Sequence, residues 1–401
     1  MLWLIRHSTE IKKNEITIIV LLFLFGMSFL NLANYYLLSI FMIGLILVIQ
    51  KGKVYVNLEI FWVIAFLISF LVLDYFINDS NSIYRVAIWT MMYFAGNYIM
   101  FENDKGDKLI PLYMLALSFG FLVHAFLSVY FTPPYIGRGR YIYDFWTMNL
   151  KNATHIGAWC IPIVSLLTFS VNNKSKLIKA IVLLGNILVL IINFEIGQRT
   201  AIFIICIMLL YTLYKKLTSS LRNMIKTLVV LLLIIMVIFI VYYLNFFGLK
   251  EFVQQSILYQ RLVLQGFSLK EEPRFQRQLY AVSHFGDSFF GGYAIRSQVG
   301  QLHNLWLDLY DMVGFLPFLF IVLFMISNIR NLFKIVKNKY VTHDLKNALV
   351  GWFLCLLLQF NFEPVLEYGD GKIFGAYLFI CGCINSYKYI MGRKPLLSKP
   401  I

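Results

Sequence analysis

Long runs of apolar residues, separated by short segments that carry lysine and arginine, fill most of this 401-residue chain. A helix of about 17 to 25 mostly apolar residues is long enough to cross the hydrocarbon core of a bilayer. By that rule we predict about twelve transmembrane helices, at approximately 16–31, 35–50, 55–74, 82–101, 109–130, 154–171, 177–194, 200–214, 226–246, 305–329, 347–363 and 373–390. The pattern therefore indicates an all-α polytopic membrane protein, with residues 1–401 forming a single integral membrane domain.

The composition supports this class and excludes others. Hydrophobic residues make up 60% of the chain and charged residues only 14%, which excludes an ordinary soluble globular protein. A formal net charge of +15 would suggest a nucleic-acid partner in a soluble protein, but here the basic residues lie between apolar runs, so we expect no nucleic acid. The five cysteines fall within predicted spans, where we expect them to pack as small apolar residues and not to form disulfides or bind metal.

The distribution of basic residues predicts the orientation of the chain. Most of them collect in alternate loops together with both termini, which the positive-inside rule places in the cytoplasm. No small-residue cleavage site follows the first apolar run, so we interpret the N-terminal segment as a signal anchor. Two long loops then lie outside, 131–152 and 247–303, the second between the ninth and tenth helices. Their basic residues are mainly arginines, whose planar guanidinium can bind phosphate through two hydrogen bonds.

A histidine and an asparagine open an apolar segment at the end of the second loop. If a helix starts at His303, then Leu307, Tyr310 and Gly314 follow on the same face, and the imidazole lies at the lip of a groove. A neutral imidazole there could accept a proton from a hydroxyl group. The alternative is a histidine that fills an interfacial position beside Asn304, which acts as a helix cap.

Three arginines are candidates for binding phosphate. Arg274 and Arg277 are three residues apart, so on a helix they share a face and could grip neighbouring phosphate oxygens. Two glutamates precede them, and the alternative is a solvated surface cluster of charges. Arg199 enters a span just after Gly197, a small residue that permits the close approach of another group. The alternative for Arg199 is an interfacial side chain that extends to water.

The first outer loop combines arginines with aromatic residues. Arg138 and Arg140 flank a glycine, and Tyr141 and Trp146 follow at the height of the membrane interface. Aromatic rings offer flat faces to sugars, so this loop could line the path of a sugar or a lipid. Contacts between its arginines and lipid headgroups are the alternative.

The third outer feature is an acidic segment near the end of the chain. It contains Glu363, Glu367 and Asp370, whose spacing is scattered and includes no histidine. We expect a solvated acidic loop here rather than a site for a divalent metal.

Three segments resemble the O-antigen polymerase and O-antigen ligase superfamily of bacterial glycan-assembly membrane proteins. They are HNLWLDLYDMVG from His303, GQRTA around Arg199, and PRFQRQLYAVSHFGDSFFGGY, an arginine-containing outer segment ahead of a glycine-rich turn. The likeness covers approximately 193–323, and the predicted spans and large late loop agree over the rest. The sequence departs from the family pattern at Gln198 and Thr200, where serine and glycine are usual, and at Pro317, where a second glycine is usual.

The resemblance implies glycosyl transfer on the outer face of the bacterial cytoplasmic membrane. The donor would be an undecaprenyl-diphosphate-linked oligosaccharide, and the acceptor a hydroxyl of a second lipid-linked repeat unit. Such a donor carries its own leaving group, so the protein has to supply positioning, a base and charge stabilisation, with no nucleotide, metal or other cofactor. We expect Arg199 and Arg274 to hold the diphosphate and His303 to take the proton, with inversion at the anomeric carbon. The expected substrate-binding residues are Arg138, Arg140, Tyr141, Trp146, Arg277 and Asn304.

The hypothesis is thus a capsule, exopolysaccharide or O-antigen polymerase, with two alternatives. A ligase of the same superfamily would move finished glycan onto lipid A-core or protein. A lipid-linked glycan flippase would need charged residues in the middle of spans, whereas the charges here gather at the outer ends. Besides donor, acceptor and membrane lipids, the expected partners are other glycan-assembly proteins, namely a flippase and a chain-length regulator.

Overall fold

The protein is almost entirely helical over the residues that the structure describes. The computed structural model describes residues 17–32, 40–44, 58–78, 82–102, 106–133, 139, 141–217, 225, 229, 233, 236–237, 239–264, 272–363, 365–366 and 371–397. In these ranges seven helices are long and apolar enough to cross a membrane: Leu58–Asn78, Lys108–Phe131, Ala153–Val171, Lys176–Ile196, Arg199–Leu217, Phe315–Lys337 and His343–Phe362. The predicted class, an all-α membrane-embedded protein, is confirmed at this level.

The order of elements follows the predicted runs closely. The long helices are α1 Thr17–Leu30, α2 Leu58–Asn78, α3 Ile83–Glu102 and α4 Gly106–Phe131, followed by strands β1 Tyr141–Tyr143 and β2 Leu150–Asn152. Next come α5 Ala153–Trp159, α6 Ile161–Val164, α7 Leu167–Asn172, α8 Lys176–Ile196, α9 Arg199–Leu217, α10 Leu249–Gln255 and α11 Ile257–Tyr259. The last are α12 Pro273–Ser283, α13 Ala294–Val299, α14 Leu305–Val313, α15 Phe315–Lys337, α16 His343–Phe362 and α17 Lys372–Leu397.

Several predicted features fall partly or wholly outside the described residues. The signal anchor precedes residue 17, and the predicted spans 35–50 and 226–246 are described only in part, with residues 40–44 helical. The spans predicted at 16–31, 82–101 and 373–390 are helices, α1, α3 and α17, but α1 is shorter than the others and none of the three is among the seven. The number of twelve spans therefore stays a prediction.

The chain divides into two compact units. The first contains residues 1–124, 316–349 and 369–401, and the second contains residues 125–315 and 350–368. In the first unit, Gly96 of α3 lies against the backbone of Phe379, and Gly382 of α17 lies against the backbone of Tyr93, with no room for a Cβ at either glycine. Small residues of this kind allow membrane helices to pack backbone to backbone.

A buried carboxylate is held among the helices of the first unit. Glu59 of α2 accepts hydrogen bonds from Ser327 Oγ at 3.0 Å and Asn331 Nδ2 at 2.7 Å. Asn331 also donates to Asn385 Oδ1 at 3.1 Å, and Asn385 Nδ2 donates to the Tyr93 hydroxyl at 3.2 Å. Four helices are therefore joined by one polar network, which satisfies a side chain that would otherwise be costly to bury.

The second unit is built around an interrupted span. The predicted span 154–171 is present as α5, α6 and α7, which break at Cys160 and again at residues 165–166, and almost all of its residues are buried. Gln359 of α16 donates from Nε2 to the carbonyl of Ala158 at 3.1 Å, and Thr168 and Thr212 share a hydrogen bond between their hydroxyls at 2.8 Å. The flanking helices thus satisfy polar groups at and between the breaks.

The two long loops have structure of their own. In the first, β1 and β2 form an antiparallel hairpin in which Tyr141 pairs with Asn152. In the second, α10 and α11 are followed by a π-helical turn, Gln260–Leu264, and then by α12, the 3₁₀ turn Phe285–Ser288, and α13. A loop of this length normally carries either structure or function.

The helix predicted at 305–329 is in fact two helices. Helix α14 ends at Gly314, whose φ of +82° lies in the left-handed region, and α15 begins at Phe315. Phe315 N donates to the Phe289 carbonyl at 2.9 Å, so the break is closed by the preceding turn.

The start of the same helix agrees with the predicted span, which begins at residue 305, and excludes the conditional start at His303. Helix α14 begins at Leu305, because the Asn304 side chain caps it by accepting hydrogen bonds from the amides of Trp306 and Leu307 at 3.0 and 3.3 Å. His303 therefore lies before the cap and outside the helix, with a left-handed φ of +57°. His303 therefore does not share a helical face with Leu307 and Tyr310, and that part of the hypothesis is wrong.

Candidate functional site

The site forms around the turn between α8 and α9. Gly197 ends α8 in a left-handed conformation, φ +67°, and a Cβ at this position would lie 2.6 Å from Cγ2 of Ile257. The close approach expected at Gly197 is therefore real, and the approaching group is α11. Gln198 and Arg199 follow at once, so the turn delivers both side chains to the N-terminal end of α9.

Arg199 forms an ion pair with Glu272, the residue directly before α12. Its Nη2 lies 3.0 Å from Oε2 and 3.2 Å from Oε1 of Glu272. One glutamate of the expected surface cluster is thus bound by an arginine from a distant part of the chain. Arg199 therefore does more than extend to water, which was the alternative for this side chain.

Arg274 binds a carboxylate that is completely buried. Its Nη1 lies 3.1 Å from Glu363 Oε1 and also donates to Thr200 Oγ1 and to the Phe362 carbonyl, each at 3.4 Å. Gln198 Nε2 donates to the same Glu363 oxygen at 3.3 Å. Two residues where the sequence departs from the family pattern therefore belong to this cluster.

The environment of Glu363 favours its charged form. Burial by itself raises the pKa of Glu363, but the positive charge of Arg274 and the neighbouring His303 lower it by more, so the pKa lies below its ordinary value. The acidic segment was predicted to be solvated, and for Glu363 this is wrong, because the end of α16 is covered by other elements of the unit. Glu367 and Asp370 lie outside the described residues.

His303 faces the second oxygen of the same carboxylate. Its Nδ1 lies 3.9 Å from Glu363 Oε2, which is too long for a hydrogen bond but within ion-pair distance when the imidazole carries a proton on both nitrogens. Nδ1 is buried and makes no hydrogen bond within the described part of the chain, and the whole side chain is 16% exposed. The imidazole therefore lies at the edge of the cluster, with one nitrogen turned inward.

A third arginine, Arg261 in the π-helical turn, completes the group. It donates from Nη1 to the Gly197 carbonyl at 3.1 Å and from Nη2 to the Gly139 carbonyl at 2.8 Å. No carboxylate within the described ranges pairs with it. Burial lowers the pKa of Arg261, and the positive charges of Arg199 and Arg274 lower it further, so its guanidinium is close enough to both of the others to be repelled by them.

The charges of this cluster favour an anion. Three guanidinium groups face two carboxylates, and the N-terminus of α9 adds the positive end of its helix dipole. An incoming anion would relieve the repulsion on Arg261, and the imidazole of His303 lies beside Glu363 in the same cluster. Within the described ranges no group of three or more His, Cys, Asp or Glu residues could hold a metal ion.

The structure brings together some of the predicted site residues and separates others. Arg199, Arg274 and His303 meet through the elements described above, and Asn304 lies beside them, donating from Nδ2 to the Asn361 carbonyl at 3.3 Å. Arg277 binds the backbone next to His303 and not a carboxylate of the cluster, because it donates to the Gln301 carbonyl at 3.3 Å.

The first outer loop reaches the site through its backbone. Tyr141 lies in β1 and Trp146 in the hairpin turn, where its ring packs edge-on against Phe145 at 4.7 Å. Arg138 and Arg140 lie outside the described residues, but the carbonyl of Gly139 between them accepts the hydrogen bond from Arg261.

Sequence reasoning did not identify Glu363, Gln198 and Arg261 as members of the site. The signal for Gln198 was its position beside Arg199, and for Glu363 its position directly after an apolar run. Arg261 had no distinguishing signal beyond its place among the outer arginines.

Comparison with known proteins adds no relative. No protein-family model matches the chain, and the search of curated proteins found no significant match. The resemblance described above therefore rests on the residues themselves.

Proposed function

We propose that this protein is a membrane glycosyltransferase that polymerises a capsular, exopolysaccharide or O-antigen glycan. The donor is an undecaprenyl-diphosphate-linked oligosaccharide, and the acceptor is a hydroxyl of another lipid-linked repeat unit. The observation that carries the proposal is the convergence of three arginines at the start of α9 with a histidine, in which the buried carboxylate of Glu363 lies beside both Arg274 and His303.

The arginines suit the leaving group of this reaction. As the bond from the anomeric carbon to the phosphate oxygen breaks, its electron pair passes to the diphosphate, and negative charge grows there. The guanidinium groups of Arg199 and Arg274 stabilise that charge as it develops by donating hydrogen bonds to the phosphate oxygens. The positive end of the α9 dipole adds to this stabilisation. The two carboxylates keep these side chains in place until the donor arrives.

The histidine suits the acceptor. His303 takes the proton of the attacking hydroxyl while the new bond between oxygen and anomeric carbon forms, and attack opposite the leaving group inverts that carbon. The imidazolium produced lies beside Glu363, whose negative charge stabilises it. The proton, the electron pair and both bonds are thus accounted for without a nucleotide.

The proposed topology agrees with this chemistry. Twelve spans with both termini in the cytoplasm put the segments that carry Arg199, Arg274, His303 and Glu363 on the outer face of a bacterial cytoplasmic membrane. Lipid-linked repeat units are presented on that face. The proposal is supported by the concentration of arginines in the outer loops and of lysines in the inner ones.

The test is synthesis of polymer by the purified protein. We would place it in nanodiscs with a synthetic lipid-linked repeat unit, without nucleotide, and expect a ladder of longer glycans. His303→Ala should lower the rate by roughly 10² to 10⁴, the usual contribution of a general base. Arg199→Lys should also lose activity, because an ammonium cannot reproduce the guanidinium fork.

The matched control is His284→Ala, which removes a histidine that stacks on Tyr280 at 3.9 Å in the same loop. It should make the same ladder as the wild type. A wild-type protein that makes no ladder, or a His303→Ala variant with normal yield, would contradict the proposal. Transfer of preformed glycan to a lipid A-core or protein acceptor, without a ladder, would replace the polymerase by a ligase.

A further inference from the structure

His303 has a backbone conformation that a residue with a side chain seldom adopts. Its φ of +57° is left-handed, and the carbonyl-to-Cβ contact that this creates is unfavourable for every residue except glycine. Such a conformation persists only where surrounding contacts impose it, and such residues cluster at functional sites. The contacts that impose it at His303 can be read from the residues on either side.

A single carboxylate holds both neighbours of His303. Asp308, buried in the first turn of α14, accepts a hydrogen bond at Oδ1 from the Leu302 amide at 3.2 Å. Its other oxygen, Oδ2, accepts from the Asn304 amide at 3.1 Å. The two amides that flank the histidine are therefore fixed to the two oxygens of one side chain.

The opposite side of this segment is held by α12. Gln278 Nε2 donates to the carbonyls of Leu302 and His303, each at 3.4 Å, and Arg277 donates to the carbonyl of Gln301. Asp308 thus fixes the amides while α12 fixes the carbonyls. Segment 301–304 has little freedom to leave the left-handed turn.

We propose that Asp308 is a positioning residue for His303. It holds the backbone turn that keeps the imidazole beside Glu363, the carboxylate that also binds Arg274. The proposal rests on the proposed function and deepens it, because Asp308 acts on the reaction only through His303. No chemistry is assigned to Asp308 itself, which is turned toward backbone amides.

The same helix offers a matched control in Asp311. This carboxylate is also buried and also binds two backbone amides, those of Ile295 and Arg296, each at 2.9 Å. It accepts a hydrogen bond from the Ser288 hydroxyl as well. Its partners lie at the start of α13, so replacing it removes comparable amide hydrogen bonds and leaves those of segment 301–304 in place.

The experiment compares Asp308→Ala with Asp311→Ala in nanodiscs. We expect Asp308→Ala to lower kcat by about 10²-fold with an unchanged KM for the donor, since a displacement near 1 Å can cost that much. Asp308→Asn keeps one oxygen acceptor and should lose less. Asp311→Ala should keep most of its kcat even if it is less stable.

A second readout does not depend on activity. Hydrogen exchange of the Leu302 and Asn304 amides should quicken in Asp308→Ala and stay slow in Asp311→Ala. If Asp308→Ala does not fold, Asp308→Asn serves for both measurements.

Three outcomes would overturn the inference: faster amide exchange with full kcat, unchanged exchange in Asp308→Ala, or an equal loss of kcat in the two alanine variants. A wild type that makes no polymer, while Asp308→Ala shows the expected faster exchange, would refute the proposed function and with it the effect of Asp308 on the reaction. The backbone clamp itself would then still be supported.

Discussion

Replacing Arg274 by methionine should leave the buried carboxylate of Glu363 in the second unit without its arginine partner. The Glu363 side chain has no exposed surface, and its partners other than Arg274 are uncharged or distant ones such as the Gln198 amide at 3.3 Å, the Thr200 hydroxyl and His303 at 3.9 Å. Removing one partner of a buried ion pair typically costs about 3 to 5 kcal/mol, because the remaining charge is not solvated. We therefore expect Arg274→Met to lower the free energy of unfolding by about that amount.

Replacing the carboxylate instead of the arginine should lower the free energy of unfolding by less. In Glu363→Leu the charge that remains is Arg274, whose side chain is 29% exposed and can be hydrated. The double variant, Arg274→Met with Glu363→Leu, removes both charges and should return to within about 1 kcal/mol of the wild type or exceed it. It should nevertheless make no polymer, which separates the contribution of the pair to stability from its contribution to donor binding.

The pH dependence gives a further check on the same pair. The folded-state pKa of Glu363 is lowered, so its stabilising contribution is complete above the unfolded-state pKa of about 4.3 and is lost as pH falls through the folded value. In Arg274→Met the burial of Glu363 is no longer opposed by the guanidinium, so its pKa should rise. The difference in stability between the variant and the wild type should therefore narrow as pH is lowered from neutrality towards about 4.

The assay is reversible unfolding in mixed detergent micelles, followed by tryptophan fluorescence at several pH values. The reasoning fails if Arg274→Met and Glu363→Leu cost the same, or if the double variant is as unstable as Arg274→Met. It also fails if the double variant polymerises glycan at the wild-type rate.

Two further substitutions test how the site is supported. Gly314→Ala would put a Cβ on a residue with φ of +82°, and this Cβ would lie 2.7 Å from the Phe289 carbonyl oxygen. We expect the substitution to lower the free energy of unfolding by more than about 1 kcal/mol, and an unchanged unfolding curve would contradict this. Arg261→Met should cost about 1.5 to 3 kcal/mol by removing charged hydrogen bonds to two carbonyls, whereas Lys250→Met, an exposed residue of the same loop, should leave the unfolding curve unchanged.

Much of the fold could be predicted because its signals are local. The span predicted at 177–194 is the helix Lys176–Ile196, and the span predicted at 200–214 is the helix Arg199–Leu217. Apolar length alone determines that such segments are helical in a membrane, where every backbone polar group has to be satisfied within its own segment. Asn304 was likewise recognisable as a cap, because its side chain acts on amides two and three residues away.

The exact course of the chain through the site was less accessible. The predicted start of α14 at residue 305 is confirmed, although a helix beginning at His303 was also considered. The end of α14 at Gly314 was missed, because a glycine within an apolar run can belong either to a packed helix or to a break. The break is stabilised by the Phe289 carbonyl, which accepts a hydrogen bond from the Phe315 amide and belongs to a different element. Nothing in the local pattern reveals that partner.

The sequence by itself determined that this is a helical membrane protein, and it supplied Arg199, Arg274 and His303 as candidates. Only the tertiary structure decided that Arg274 meets Glu363, 89 residues away, and that Arg199 meets Glu272, 73 residues away. A carboxylate among polar neighbours looks solvated in a sequence, since burial depends on which distant elements cover it. Pairing of charges across such separations leaves no periodic signal, because it arises from packing and not from the propensity of either segment.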